Sequence, residues 1–494
     1  MTGSYGNDGR QKSSVGPVKL VADVWFIIMS LLSPSDIVHL SHTCKALFEY
    51  SRFHHVWQSA LAKHHFLSKI YPHLRHAPTS IIRRQLITTT RLDVAFSKCT
   101  LRPTRSYSFP LEFPGVFQGM KFIPGGDWLV LLFHSRTLNP ARHSNICLFK
   151  PPRMESSATD ATPTSVTLQS EWCWLHFGSR DGPYKSSRGD DLMLLRTFVK
   201  NKRTFAICHL DTKTPSVKIT FMAHTTIRTR NYVVAGDYLV YGWITDDRKH
   251  MLRIMKLNDD YTKLEKDVIA EIDCPPGNDG RLMVRYDLRL SGKQPRLMLI
   301  STRLMAAYDI SDDTLSSGSR SLPLKLPTVW TYLPEDISFG RILHVFHESA
   351  IVTFYEGKVR FVYPEIDNLG SDGKTIATYQ FSPSTPYSVK YPAILTSQRI
   401  FWPLRFPRSL PASVGSKHLI EAAMLPAPSN EERHIDRILI DHDELSPDQG
   451  SLMYDAQDWD ELSGKLCIRY VKSRYPHEFS WRKTSWRFTI LDMV

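Results

Sequence analysis

Histidine supplies the densest set of potential ligands in this sequence. His39, His42 and Cys44 lie close together, and His54-His55 and His64-His65 follow. Metal ligands on a helix must share one face, typically at i, i+4, with further donors nearby. His39 and His42 are three apart, Cys44 falls on the apolar stripe of Ile37 and Leu40, and His55 and His64 are nine apart. That spacing does not assemble a metal site. Asp441-His442-Asp443-Glu444 with Asp448 has the charge of a calcium loop. Its sixth position is Ser446 and its twelfth Leu452, where an EF-hand needs glycine and glutamate. The pair Asp190-Asp191 reads as a turn before a strand at Leu192, with the two carboxylates pointing to opposite sides of an extended chain. No metal and no cofactor is expected.

The usual signatures of phosphate cradles and activated nucleophiles are missing: no G-x-x-x-x-G-K-[ST], no G-x-G-x-x-G and no G-x-S-x-G. Arg83-Arg84 with Arg91 and Lys98 offers a basic stripe. It lacks the interleaved aromatics of a single-strand binder and reads as a solvated helix face. Trp330, Tyr332, Tyr387 and Trp402 are of the kind that anchors interfaces and equally of the kind that fills a strand core. The residue chemistry therefore predicts a binding protein without catalysis, and neither nucleic acid nor membrane as a partner.

Elements must position whatever binds. The chain has 494 residues, 42% hydrophobic and 22% charged, with 31 prolines against 24 glycines. Residues 1–17 are polar and expected to be disordered, with no apolar run of a secretion signal. Residues 18 to about 100 carry helical periodicity. Val24, Ile28, Leu31 and Leu32 share one face of a first helix, and Ser33-Pro34 ends it and starts the next. A second helix bears the stripe Ile37, Leu40, Cys44, Leu47 and Phe48. A third spans roughly 54–68 with Val56, Trp57, Ala60, Leu61 and Phe66. A fourth runs from Thr79 to Phe96 with Ile82, Leu86, Leu92 and Phe96 recurring.

From about 105 onward the pattern changes to short strands and turns, which indicates a separate domain. Gly126-Asp127-Trp128-Leu129-Val130 is echoed 110 residues later by Gly236-Asp237-Tyr238-Leu239-Val240, with strands following at Ile146–Phe149 and Leu252–Leu257. The spacing suits two or three repeats of roughly 40–50 residues, the period of a propeller blade. Hairpins are expected at Arg296–Ile300 with Leu304–Ile310, and at Ile351–Tyr355 with Val359–Tyr363. Residues 151–168, 311–323 and 406–417 read as loops. So does 431–461, with eleven Asp/Glu against two Arg, apart from Ile438–Ile440. The expected fold is mainly β with an N-terminal helical segment, its β region a propeller-like domain of about seven blades.

The helical segment resembles the F-box. Leu20-Val21-Ala22-Asp23-Val24-Trp25 opens the motif, Ile28-Met29-Ser30-Leu31-Leu32 continues its first helix, Ser35-Asp36-Ile37 gives the Asp-Leu-like step, Cys44-Lys45 the small-basic pair and Trp57 the late aromatic. Val21 stands where the family usually has proline. The resemblance covers about 45 residues; downstream, Phe122–Val130 is similar to the opening strands of fungal F-box proteins that end in a diverged WD-type propeller, although no GH…WD signature is present. It implies an F-box at 18–62, a helical linker at 63–104 and a target-recognition domain at 105–494. It also implies that Leu20, Val21, Val24, Ile28, Leu31, Leu32, Ile37, Leu40 and Trp57 bind a Skp-type adaptor and, through it, a cullin scaffold. The function so implied is the substrate-receptor subunit of an SCF-type ubiquitin ligase, with a target protein that the sequence does not name. Two other readings stand beside it: an interaction scaffold whose helices pack internally and, least favoured because no convergent carboxylate or histidine set is visible, an enzyme using the propeller's central cleft.

Physical reasoning leads to docking as well. Three short helices cannot hide Val24, Trp25, Ile28, Leu31, Leu32, Ile37, Leu40, Leu47 and Trp57 among themselves. Residues 1–110 hold 14 Lys/Arg against 5 Asp/Glu, which is +9 of the chain's net +13; nucleic acid and an acidic protein both fit that charge, which alone does not decide between them. Seven scattered cysteines without a CxxC read as reduced thiols. With no apolar stretch of about 18 residues, the expected location is cytoplasmic or nuclear.

Overall fold

The computed structural model describes residues 21–64, 67–68, 71–98, 100–112, 116–134, 144–151, 164–166, 173–176, 183–186, 188–199, 202–225, 231–235, 237–247, 249–272, 285–289, 295–300, 305–316, 323–332, 342–347, 350–355, 358–364, 374–379, 394–395, 399–403, 420–424, 438–440, 452–472 and 485–494. The chain divides into two compact units, residues 1–87 and 88–494.

In the first unit, α1 covers Ala22–Leu31, α2 Pro34–Ser41, α3 Lys45–Tyr50 and α4 His54–Lys63, followed by a 3-10 turn at Pro72–His76 and the start of α5, Thr79–Phe96. Ser33 caps α2: its Oγ accepts the Asp36 amide at 3.2 Å and donates to the Asp36 carboxylate at 2.7 Å, with Pro34 pre-set for the first turn. The single second helix expected from the sequence is two. The Thr43 hydroxyl donates to the Leu40 carbonyl at 2.8 Å, and Cys44 turns extended (φ −157°, ψ 161°) as the N-cap of α3. A short hydroxyl that takes a local carbonyl competes with the helical ladder. The third helix is also shorter than expected, ending where His64 adopts φ −81°, ψ 85°. Met29, Ile37, Leu47, Val56, Trp57, Ala60, Leu61, Leu74, Ile82 and Leu86 are buried. Trp57 is central: its Nε1 donates to the Ser51 carbonyl at 2.6 Å and the Arg83 guanidinium lies 5.6 Å from its ring centroid.

The second unit is mainly β. Among the described residues it holds seven sheets of four or five strands, each drawn from consecutive chain apart from three added strands. The first sheet is formed by 116–122, 129–134, 144–149 and 164–166, and the second by 173–176, 183–185, 191–199, 202–211 and 216–225. The third comprises 231–235, 238–244, 250–257 and 264–272, the fourth 285–289, 296–300, 305–309 and 328–332, and the fifth 342–347, 350–355, 358–364 and 374–379. The sixth comprises 394–395, 399–403, 420–424 and 438–440, and the seventh 452–460, 465–472 and 485–492. Leu324–Lys325 adds to the third sheet and Thr100–Leu101 to the sixth, both parallel. Arg105–Glu112 completes the seventh by antiparallel pairing with Ser485–Asp492.

Strand alternation explains how these sheets stack. Leu129, Leu131 and Phe133 pack with Phe109, Cys467, Phe488 and Ile490 of the seventh sheet. Val130 and Leu132, on the opposite face, pack with Met193, Leu195 and Ala206 of the second. Leu192, Leu194 and Phe205 in turn meet Leu239, Tyr241 and Met255 of the third, whose other face (Val240, Leu252, Ile254) meets Leu297, Leu299 and Tyr308 of the fourth. A sheet buried on both faces between sequence neighbours is propeller-like packing. The sequence echo marks equivalent second strands of the first and third sheets, so its 110-residue spacing spans two repeats of about 55, longer than expected.

Both expected hairpins are present: Arg296 pairs with Asp309 at one end of the first, and Tyr355 with Lys358 at the turn of the second. Three loop expectations are overturned. Thr164–Val166 is a strand, and Asp312–Ser316 is a short helix that buries Leu315. The greatest change is in the acidic segment, where Leu452–Asp460 is a nine-residue strand and Asp458, Trp459, Asp460 and Glu461 are buried. Residues 406–417 and the Asp441–Asp448 run lie outside the described residues. Thr79–Phe96 is helical over the length expected, with Ile82, Leu86, Leu92 and Phe96 buried. The boundary between the units falls inside it, so Leu92 and Phe96 of the expected linker join the core of the β unit.

Candidate docking surface

Helix α1 leaves part of its apolar surface exposed. Met29 is its buried residue, while Ile27 is 62% and Leu31 71% exposed, with Val21 at 70% just before the helix. Ile27 and Leu31 are one turn apart, and Val24 and Ile28, both half-buried, flank them on the same side. Inward anchoring comes from the opposite side, where the Phe26 ring meets Tyr50 at 5.5 Å, Phe53 at 5.1 Å and His55 at 4.5 Å, all edge to face. Phe48 (39% exposed) within α3 and Phe53 (50%), the N-cap of α4, add apolar surface. Lys63 reaches back to the Ser30 carbonyl and ties α4 to the end of α1.

The residues expected to contact an adaptor divide into two groups. Val21 and Leu31 are exposed, and Val24, Ile28, Leu32 and Leu40 are half-buried. Ile37 and Trp57 are fully buried and act as framework in this fold, which corrects their expected place on the contact surface. The reason for Trp57 is its indole N–H, which finds a backbone acceptor only inside the turn between α3 and α4. Leu20 lies outside the described residues. Sequence periodicity missed Ile27 and Phe53, and it placed Phe48 on the second helix's apolar stripe without assigning it to the contact surface. The Ile27/Leu31 spacing of four was available to find the first, but a stripe shows a helix's apolar side without showing whether this chain covers it.

The described histidines of the helical unit do not converge on a metal site. His39, His42 and Cys44 are exposed at the end of α2 and the start of α3, the His54 Nδ1 is 2.9 Å from the Thr79 hydroxyl, and His55 meets Phe26. Among the described residues no group of three or more His, Cys, Asp or Glu is placed to hold a metal. Asp190 and Asp191 do point apart: Asp191 is buried 2.6 Å from the Lys185 ammonium, while Asp190 stays exposed. Trp330, Tyr332 and Trp402 fall in strands whose side chains are outside the described set, as is Tyr387 altogether.

A second cluster, at the end of Leu452–Asp460, brings buried carboxylates together. Asp458 accepts the Phe122 amide at 2.7 Å and the Lys121 ammonium at 3.0 Å. Asp460 accepts the amides of Gly125 at 3.1 Å and Ser463 at 2.9 Å. Burial pushes both carboxyls up, Asp460 to about 6. Gly126 takes φ +68°, and a Cβ there would collide with the Ser463 side chain, so glycine is required where this turn meets the strand end. Arg399, fully buried, pairs with Glu461 and with Asp93 at 2.8 Å, its guanidinium 4.6 Å from the Phe96 ring centroid. Raised carboxyls can mark acid–base sites. Here their partners are Lys121, the Phe122 amide and the Gly125 amide of the first sheet and its turn, with the Ser463 amide of the seventh sheet's own hairpin, and the cluster joins the two sheets.

No family model matches the chain, and no curated protein matches it. Among solved structures, it is similar to the β-propeller domain of the Trilobed protease from Pyrococcus furiosus (10% identity, 78% of this chain and 96% of that one, TM-score 0.37). It is also similar to Saccharomyces cerevisiae Sqt1 (8% identity, 80% and 99%, TM-score 0.38). A third is the WD40 domain of SCAP from fission yeast (9% identity, 76% and 84%, TM-score 0.32). The chain's own architecture is mainly β with a few N-terminal helices. No helix among the described residues is long and apolar enough to cross a membrane.

Proposed function

We propose that this chain is a non-catalytic receptor subunit of an SCF-type ubiquitin ligase. Its helical unit docks a Skp-type adaptor, and its β unit, taken as a seven-bladed propeller, presents a target protein. The observation that carries this reading is the outward apolar row of Val21, Ile27 and Leu31 on a helix unit whose core is already filled by Met29, Ile37, Val56, Trp57 and Leu61. Each such side chain gains roughly 1.5–3 kcal/mol on full burial, so the row favours a partner. The F-box resemblance names the partner, and the seven sheets support the propeller. Ligase action would then come from proximity, with no acid, base or nucleophile supplied by this chain.

Co-purification with the adaptor tests the proposal. Wild-type chain should retain it, and Ile27→Asp or Leu31→Asp should each lose it while the far-UV circular dichroism is unchanged. Failure of the wild-type chain to bind removes the ligase reading and leaves an interaction scaffold.

A further inference from the structure

Residues 50–87 contain six Lys/Arg and six His and not one Asp or Glu. At the chain's average of 49 acids in 494 residues, a stretch of that length would hold about four. The fold gathers part of this excess on the outer side of α4. His54, His55 and Gln58 are exposed there, and Arg75, His76 and Arg84 are exposed on the segment beside it. Two hydrogen bonds hold the segments together: His54 to Thr79 at 2.9 Å and Gln58 Nε2 to the Arg75 carbonyl at 3.2 Å. Arg83 is fixed between them by its stacking on Trp57. The Arg75 guanidinium touches the Ser68 carbonyl at 3.4 Å, so the described contacts of Arg75 and Arg83 leave their charge without a carboxylate.

We propose that this face is a docking surface for an acidic polypeptide segment, separate from the apolar row on α1. Guanidinium forks recognise carboxylates through paired N–H donors, and an exposed amide such as Gln58 adds a neutral hydrogen-bonding point. Trp57 is fully buried beneath Arg83 and offers no face to a base; Phe53, 50% exposed next to His54, is held edge to face against Phe26, and DNA as a competing probe reads whether it stacks on bases. The proposal does not depend on the ligase reading, because it uses none of the apolar contacts on which that reading rests.

Fluorescence anisotropy of a labelled poly-glutamate dodecapeptide with the full chain tests it, with duplex DNA and phosphatidylserine vesicles as competing probes. The Arg75→Glu/Arg84→Glu variant should weaken peptide binding at least tenfold, and rising salt should weaken the wild type. Lys213→Glu, on an exposed turn of the β unit, should bind as the wild type does. If the double variant unfolds, Arg84→Glu alone carries the test at an exposed position. Unchanged peptide affinity overturns the proposal, and so does arginine-dependent binding of DNA or vesicles that exceeds binding of the peptide. Leu31→Asp should leave peptide binding intact, which separates this outcome from loss of the adaptor.

Discussion

Two apolar residues of the helical unit illustrate how burial decides a role that sequence cannot. Trp57 and Leu31 both fall on helical stripes, yet one is fully buried and the other 71% exposed. Trp57→Ala should cost about 3–5 kcal/mol and lower the unfolding temperature of the helical unit. Leu31→Asp should change stability by no more than about 0.5 kcal/mol, and equal destabilisation by the two substitutions would refute the assignment of surface and core. Val21 gives a third case. It caps α1 with φ −65° and no side-chain hydrogen bond, a dihedral that proline already holds. Val21→Pro should therefore stabilise the unit by roughly 0.4–1 kcal/mol by restricting the unfolded chain, measured as a rise in the denaturant midpoint.

Among the elements, regular periodicity was the legible part. Thr79–Phe96 could be read to the residue because four apolar positions recur over five turns and nothing interrupts them. The acidic segment departs from the loop its composition predicts for a physical reason: Asp458, Asp460 and Glu461 find partners in Lys121, Phe122, Gly125 and Arg399, more than sixty residues away or more than three hundred. Composition shows a charge without showing what neutralises it. Burial of these groups has a consequence for pH. Asp460 is raised from 3.8 to about 6 by burial, so its contribution to stability is full below about pH 4 and is lost as pH rises through 6. His250 is lowered from 6.5 to about 4, also by burial, so its contribution is present above 6.5 and is lost as pH falls through 4. The two oppose each other between pH 4 and 6, each by at most about 3 kcal/mol at roughly 1.4 kcal/mol per unit. Relative to wild type, Asp460→Asn should lose stability more steeply on acidification over that window. His250→Gln should lose it less steeply or gain. Parallel curves for all three proteins, from urea unfolding at each pH, would show that neither group titrates as assigned.

At the scale of the whole molecule, the succession of strands was legible, while the pairing that joins the two ends of the β unit was not. The strand Arg105–Glu112 pairs over its full length with Ser485–Asp492, and the Phe109 ring stacks on Phe149 at 4.9 Å and Phe488 at 5.9 Å. No periodicity argument reaches across such a separation, because period reports the face a residue occupies and is silent on its partner strand. Such long-range pairing is entropically costly to form, so the seventh sheet should be completed late and should depend on its added strand. A chain of residues 88–494 should fold its β unit with near-ultraviolet circular dichroism like that of the full protein. A chain of 113–494 lacks Leu92, Phe96 and Leu101 of the core as well as Arg105–Glu112; it exposes the Phe488 face and an unpaired edge at Ser485–Asp492, the combination that promotes edge-to-edge association. It should lose the near-ultraviolet signal and aggregate at concentrations where 88–494 remains monomeric. Equal unfolding temperatures and equal solubility for the two fragments would mean that Arg105–Glu112 is dispensable, and its pairing with Ser485–Asp492 would then not be what holds the β unit together.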